Sequence, residues 1–223
     1  MEKERSDGAP DAGSRQPIMS RRAFLGAAGG VVAMIGLGGA AKALAGGQLL
    51  RPPGGQDESA FLARCLKCDR CRSICPTGVI GIARVEDGFV NARTPLMKFH
   101  LGECTFCGKC TEVCPTRALQ AYHTRDAKFH GSTVRVPDVR IGVASVLTDR
   151  CIAWNGGTCE VCSKACPYGA ISRDSGDRPV VHKDLCNGCG ICTYVCPALT
   201  ARAYIGGTLR GIEVRTIKQG GAR

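Results

Sequence analysis

The chain has 223 residues, with 30 Lys and Arg against 19 Asp and Glu for a formal charge of +11, and 5% of its residues are aromatic. Its 16 cysteines are about 7% of the chain, several times ordinary usage. So few aromatics exclude one large conventional core, and so many cysteines exclude any account of the fold that leaves out thiol chemistry.

Residues 1–19 mix charges with Gly, Pro and Ser and carry no apolar periodicity. Ser20-Arg21-Arg22 then leads into 19 uncharged residues, 23–41, of which 12 are Gly or Ala, followed by Lys42 and Ala43-Leu44-Ala45. A paired arginine, an apolar run and an Ala-x-Ala site in that order describe an export signal of the twin-arginine type. The expectation is a leader over 1–45, cleaved after Ala45. Retention as an N-terminal membrane anchor is the alternative, because a membrane helix needs roughly 20 predominantly apolar residues.

Beyond the leader one cysteine module repeats four times. Cys65-x2-Cys68-x2-Cys71-x3-Cys75-Pro76 recurs as Cys104-x2-Cys107-x2-Cys110-x3-Cys114-Pro115 and as Cys186-x2-Cys189-x2-Cys192-x3-Cys196-Pro197. The third copy along the chain is stretched at its front, Cys151-x7-Cys159-x2-Cys162-x3-Cys166-Pro167, and all 16 cysteines are used. Three cysteines at two-residue intervals let a short loop wrap one face of an iron-sulfur cubane. The fourth, followed by a proline without an N–H, points away towards a second cluster, as in two-cluster ferredoxins. Four modules imply four [4Fe-4S] clusters held by these sixteen cysteines, with iron as the metal.

Disulfides are the usual reading of an even cysteine count in an exported chain. Cysteines three apart are awkward to pair, however, and a disulfide framework has no need of one spacing repeated. Zinc sites generally use two separated pairs, often with histidine. His100, His123, His130 and His182 all lie outside the modules. Trp154, inside the seven-residue insert of the third module, is a candidate shield for a cluster or a plain packing residue.

The intervals between modules are 28, 36 and 19 residues. The expected fold is α+β, small and cofactor-centred: two ferredoxin-like two-cluster units at 46–135 and 136–205, with a C-terminal strand and tail at 206–223. Strands are expected at 141–147, 179–182 and 212–217, and a hairpin through Gly88 to Asn91. The apolar pairs after each Cys-Pro, such as Ala118-Leu119 and Ala170-Ile171, should turn inward against a cluster. Spacing alone leaves two pairings open, adjacent modules or a nested arrangement of first with fourth and second with third.

Several particular features carry a family resemblance. Arg51-Pro52-Pro53-Gly54 and Phe61 precede the first module, Gly142-Val143-Ala144 precedes the third, and Asn155-Gly156 lies within its insert. With the paired arginines, these resemble the exported ferredoxin-type subunit of the periplasmic nitrate reductase and methylamine utilisation systems, over residues 20–200. The compact Cys107-Gly108-Lys109-Cys110 is more similar to the cytoplasmic ferredoxin-type counterpart. The resemblance implies an electron-transfer subunit without catalytic residues of its own, working in an oxidoreductase complex. Its implied partners are a membrane ferredoxin-type quinol dehydrogenase subunit, a periplasmic reductase or cytochrome acceptor, and the twin-arginine translocase. The implied location is the periplasm or the outer face of the cytoplasmic membrane. The alternatives are the iron-sulfur subunit of an exported molybdopterin oxidoreductase and a maturation or interaction protein for a reductase.

Nucleic acid is not an expected partner. Without residues 1–45 the chain keeps 24 basic and 15 acidic residues, or +9. Four oxidised clusters with their thiolates bring about −8, so the basic balance is a counter-charge.

Overall fold

The computed structural model describes residues 47–129, 131–198 and 210–217, all within one compact unit, Leu44–Arg223. The twin-arginine leader, His130 and most of the C-terminal tail lie outside the described residues. Among the described residues no helix is long and apolar enough to cross a membrane.

Short elements dominate, as cysteine loops with Gly and Pro at fixed offsets dictate. In chain order they are α1 Glu58–Arg64, α2 Arg70–Ser73, β1 Ile80–Ile82, β2 Pro95–Met97, α3 Lys109–Glu112, β3 Thr124–Phe129, β4 Ser132–Pro137, β5 Val143–Val146, α4 Val161–Ala165, β6 Ile171–Arg173, β7 Pro179–Val181, α5 Ile191–Tyr194 and β8 Ile212–Arg215. The strands form four two-stranded antiparallel sheets, β1-β2, β3-β4, β5-β8 and β6-β7.

The expected strands at 141–147, 179–182 and 212–217 appear as β5, β7 and β8. The last is more than a tail. Val143 pairs with Arg215 and Val146 with Ile212, so β8 closes the second half of the molecule back on its own beginning. The interval between the second and third modules also holds a hairpin, β3-β4, in register from Thr124 with Pro137 to Phe129 with Ser132. Its sequence signal is weak: Gly131, at φ +79°, is the residue that lets so short a connection reverse.

The leading segment is locked to the first half by Arg51, which is 2% exposed. Its guanidinium donates to Thr94 Oγ1 at 2.7 Å, Pro95 O at 2.9 Å and Asn91 Oδ1 at 2.9 Å, and through Nε to Glu58 at 2.9 Å. It also lies 4.7 Å from the centre of the Phe61 ring. One side chain therefore ties the segment, α1 and the β1-β2 loop together. Gly54 follows at φ +83°, and a Cβ there would sit 2.0 Å from Gln120 O, so only glycine fits this approach. The Gln120 N–H donates to Gly54 O at 2.9 Å across the same contact.

The core is assembled around the cysteines. Buried Phe61, Val79, Ile80, Leu119, Ala170, Ile171 and Ile212 join Cys110, Cys162, Cys166, Cys186, Cys189, Cys192 and Cys196 in one cluster. Cysteine and small apolar groups fill the place that aromatic residues take in a larger core.

Candidate metal centres

The sixteen cysteines are unpaired and converge in four quartets. Cys65, Cys68, Cys71 and Cys114 line one cavity of about 360 Å³, mouth included, and Cys75, Cys104, Cys107 and Cys110 line another of about 340 Å³. Cys166, Cys186, Cys189 and Cys192 surround about 300 Å³, and Cys151, Cys159, Cys162 and Cys196 about 340 Å³. Each quartet takes three cysteines from one module and the fourth from its neighbour. Modules therefore interlock first with second and third with fourth, and the nested alternative is not the arrangement found. The apolar pairs after Cys-Pro do turn inward. Val79-Ile80, Ala118-Leu119 and Ala170-Ile171 each line a cysteine cavity.

The loops reach this geometry through backbone that most residues avoid. In the three compact modules the residue before the second cysteine has positive φ: Lys67 at 56°, Phe106 at 49° and Gly188 at 76°. The residue after it does too: Asp69 at 60°, Gly108 at 80° and Gly190 at 80°. Residues in Cys-Pro-x-Gly or Cys-Pro-x-Arg turns repeat the pattern, with Gly78 at 66°, Arg117 at 53° and Gly169 at 62°. Non-glycine residues held there cost on the order of 1–3 kcal/mol each. Such turns point successive N–H groups into a concavity that suits an anion, a device shared by phosphate and iron-sulfur sites. A cubane with four thiolates is such an anion. The stretched module keeps the Cys-Pro turn at Gly169 but lacks the positive φ after its second cysteine, where Glu160 has φ −132°.

Backbone donors aimed at sulfur support the same reading. Ala144, Ala170 and Gly211 N–H groups donate to the Sγ atoms of Cys186, Cys166 and Cys196 at 3.4, 3.3 and 3.3 Å. Burial pushes the thiols of Cys71, Cys104, Cys110, Cys162 and Cys189 up to about 12. Burial also pushes Cys75 up, but the Thr77 hydroxyl and the N–H groups of Thr77, Val79 and Ile80 bring it below its ordinary value. Among the described residues no three Cys, His, Asp or Glu side chains converge closely enough to hold a single metal ion. The sulfurs stand around a space, where a structural zinc would draw four ligands to about 2.0–2.3 Å of one point. The donor set and the cavities fit a four-iron cluster, which supplies one-electron redox chemistry when bound.

Burial is unequal between the halves. Seven of the eight cysteines from Cys151 to Cys196 are buried, but only Cys110 among the eight from Cys65 to Cys114, and Cys68 is exposed. The halves meet at their inner quartets. The Cys104 N–H donates to Cys189 O at 2.8 Å, and Phe99 packs so closely that a Cβ on Gly190 would lie 1.9 Å from its ring.

The remaining sequence candidates fall away from the quartets. Trp154 lines none of the four cavities. It lies 39% exposed with the Arg178 guanidinium 4.6 Å above its ring, so it is a packing residue. His100, His123 and His182 are exposed, and His182 Nε2 bonds Ser172 Oγ at 2.8 Å. Sequence reading missed Tyr122 and Tyr168, which wall the Cys107 and Cys189 cavities; lone tyrosines outside the modules carry no signal of this.

Interlocked quartets on paired loops define a ferredoxin-type iron-sulfur protein. The chain belongs to the 4Fe-4S dicluster domain family, which it matches over residues 64–118 and 135–199. The two matches fall on the two interlocked pairs. The chain is 34% identical over 203 residues to the "Ferredoxin-type protein NapG" of Escherichia coli strain K12, covering 82% of this chain and 84% of that one. It is 32% identical over 160 residues to the "Ferredoxin-type protein NapF" of the same strain, covering 68% and 84%. To the "Methylamine utilization ferredoxin-type protein MauM" of Paracoccus denitrificans it is 31% identical over 166 residues, covering 66% of each.

Proposed function

We propose that each quartet holds one [4Fe-4S] cluster and that the chain passes single electrons through four of them. The order is the Cys68 site, the Cys107 site, the Cys189 site and the Cys159 site, which is not their order along the sequence. The observation that carries this reading is the Cys104 to Cys189 hydrogen bond, which puts ligands of the two inner sites in direct contact. Crossed cysteines link each inner site to its outer one. The chain's own residues hold the clusters, exclude water from the second half and set potentials by N–H donors to sulfur.

The chain then serves as a non-catalytic subunit between a membrane quinol-oxidising ferredoxin-type protein and a periplasmic reductase or cytochrome. It reaches the periplasm, or the outer face of the membrane, through the twin-arginine translocase. The relatives' names and the paired arginines at 21–22 support this placing. Adjacent pairing favours it over the subunit of a molybdopterin oxidoreductase, for which nested pairing is expected.

Reductive titration of the anaerobically purified protein tests the relay. Four electrons per chain are expected, with low-temperature EPR showing clusters magnetically coupled across all four sites. Two independent pairs without coupling between them would remove the proposed order.

A further inference from the structure

The two ends of the proposed relay differ in charge and cover. At the Cys159 end most cations are neutralised: Arg150 pairs with Asp149, Lys164 and Arg173 with Glu160, and Arg178 with Asp174, while half-buried Arg210 has no ion pair among the described residues and donates to Cys196 O. At the Cys68 end, Arg64, Lys67, Arg70, Arg72 and Arg93 form no ion pair with any described residue. Four of these five are exposed. The acids nearby in sequence are exposed Asp57 and Glu86 and half-buried Glu58, Asp69 and Asp87; Glu58 is held by Arg51, and Asp57 and Asp87 accept from the backbone N–H groups of Ala60 and Arg84.

The same end exposes apolar surface. Leu66, which lines the Cys68 cavity, is 66% exposed, and Phe89 and Val90 are 68% and 46% exposed. The Lys67 ammonium donates to Val90 O at 3.4 Å, so the cysteine loop and the Phe89-Val90 turn form one continuous face. Exposed Arg125 and Lys128 also lack ion pairs, but their hairpin lines none of the four cysteine cavities. An apolar centre inside a rim of unpaired charge is the anatomy of a protein interface, and one charge sign steers the opposite sign.

We infer that this face, Leu66, Phe89 and Val90 rimmed by Arg64, Lys67 and Arg72, is the electron port, docking a redox protein that presents an acidic rim around its own cofactor. The port rests on the proposed relay, since it is useful only if the Cys68 site holds a cluster. One electron crosses per encounter. The outer cluster passes between its 2+ and 1+ core charges while the partner's centre changes by one in the opposite sense.

The test uses the full holoprotein, reduced with dithionite and mixed in stopped flow with two one-electron acceptors. One is an acidic blue-copper protein as Cu(II), the other a basic c-type cytochrome as Fe(III). The acidic acceptor is expected to react faster at low ionic strength and to slow as salt rises. The double variant Arg64→Glu/Arg72→Glu should slow it by about tenfold or more. Arg125→Glu/Lys128→Glu should stay within about twofold of the parent. Calorimetric titration with the oxidised copper protein reads docking without electron transfer and should weaken in parallel for the port variant. Phe89→Ser should weaken docking without changing its salt dependence.

Iron content separates the two readings, because a chain without clusters refutes the relay while the titration still tests the port. A port variant that reacts and binds like the parent overturns the proposal, as does faster reaction with the basic cytochrome. If the port variant loses binding only to phosphatidylglycerol vesicles, with acceptor kinetics unchanged, the face belongs to a lipid surface and the proposal is wrong.

Discussion

Arg51 shows how one residue can hold a leading segment that has no strand of its own. Its side chain is buried, yet its donors meet Thr94, Pro95, Asn91 and Glu58, so the charge is paired and its hydrogen bonds are made. Removing one partner of a buried pair typically costs about 3–5 kcal/mol, because the other charge stays behind. Arg51→Ala should therefore lower the unfolding free energy of the holoprotein by that order, read as a lower denaturant midpoint, and Arg51→Lys should not restore it, since an ammonium lacks the planar fork. Unchanged unfolding of Arg51→Ala would remove this role.

The thiols give a pH dependence at the same scale. Burial raises several of them to about 12 from an ordinary value of 9.0. A group whose folded pKa is raised stabilises the fold while it is protonated, and that contribution is lost as pH rises from its unfolded towards its folded value. The metal-free chain should thus lose stability between about pH 9 and pH 12. In the loaded chain the thiolates are ligands, so this loss should disappear. Chemical denaturation of both forms at about pH 8 and about pH 10.5 checks the sign.

At the scale of elements, the module is a turn program as much as a cysteine spacing. Positive φ on both sides of the second cysteine recurs in three modules although the residues differ. Gly190 serves two needs, a left-handed turn at φ +80° and room for Phe99 from the other half. Gly190→Ala should destabilise the protein by about 1–3 kcal/mol through overpacking alone. Pairing it with Phe99→Ala should cost less than the sum of the two single changes, as contact residues do. Simple additivity in thermal melts would mean that the two do not share a joint.

Here the limits of the sequence are physical. Cysteine spacing and the proline after each fourth cysteine are local, so the sixteen candidate ligands and the inward apolar pairs could be read directly. The β3-β4 hairpin was harder, because its residues are mostly exposed and alternate weakly. Adjacent against nested pairing rests on Cys114 reaching Cys65 and Cys196 reaching Cys151, and the contact of Cys104 with Cys189 joins residues 85 positions apart. No local periodicity encodes that. Trp154 stood open between a cluster shield and a packing residue for the same reason, because only its tertiary stacking on Arg178, away from the four cavities, selects packing.

At the scale of the whole molecule, a basic, aromatic-poor chain with a small core is coherent once the clusters are counted as part of the fold. The cavities take the place of a larger apolar core, and the positive charge left over balances theirs. Uneven burial then gives the molecule a covered second half and an open first half, which suits a carrier that exchanges electrons at one end. Everything in this account depends on the quartets holding four-iron clusters. Iron and acid-labile sulfide, measured per chain on anaerobically purified protein, test that directly. About 16 of each are predicted for four [4Fe-4S] clusters, with about four fewer of each in Cys114→Ser if its crossed partner site is lost. Iron far below that level, or zinc in its place, would contradict the account.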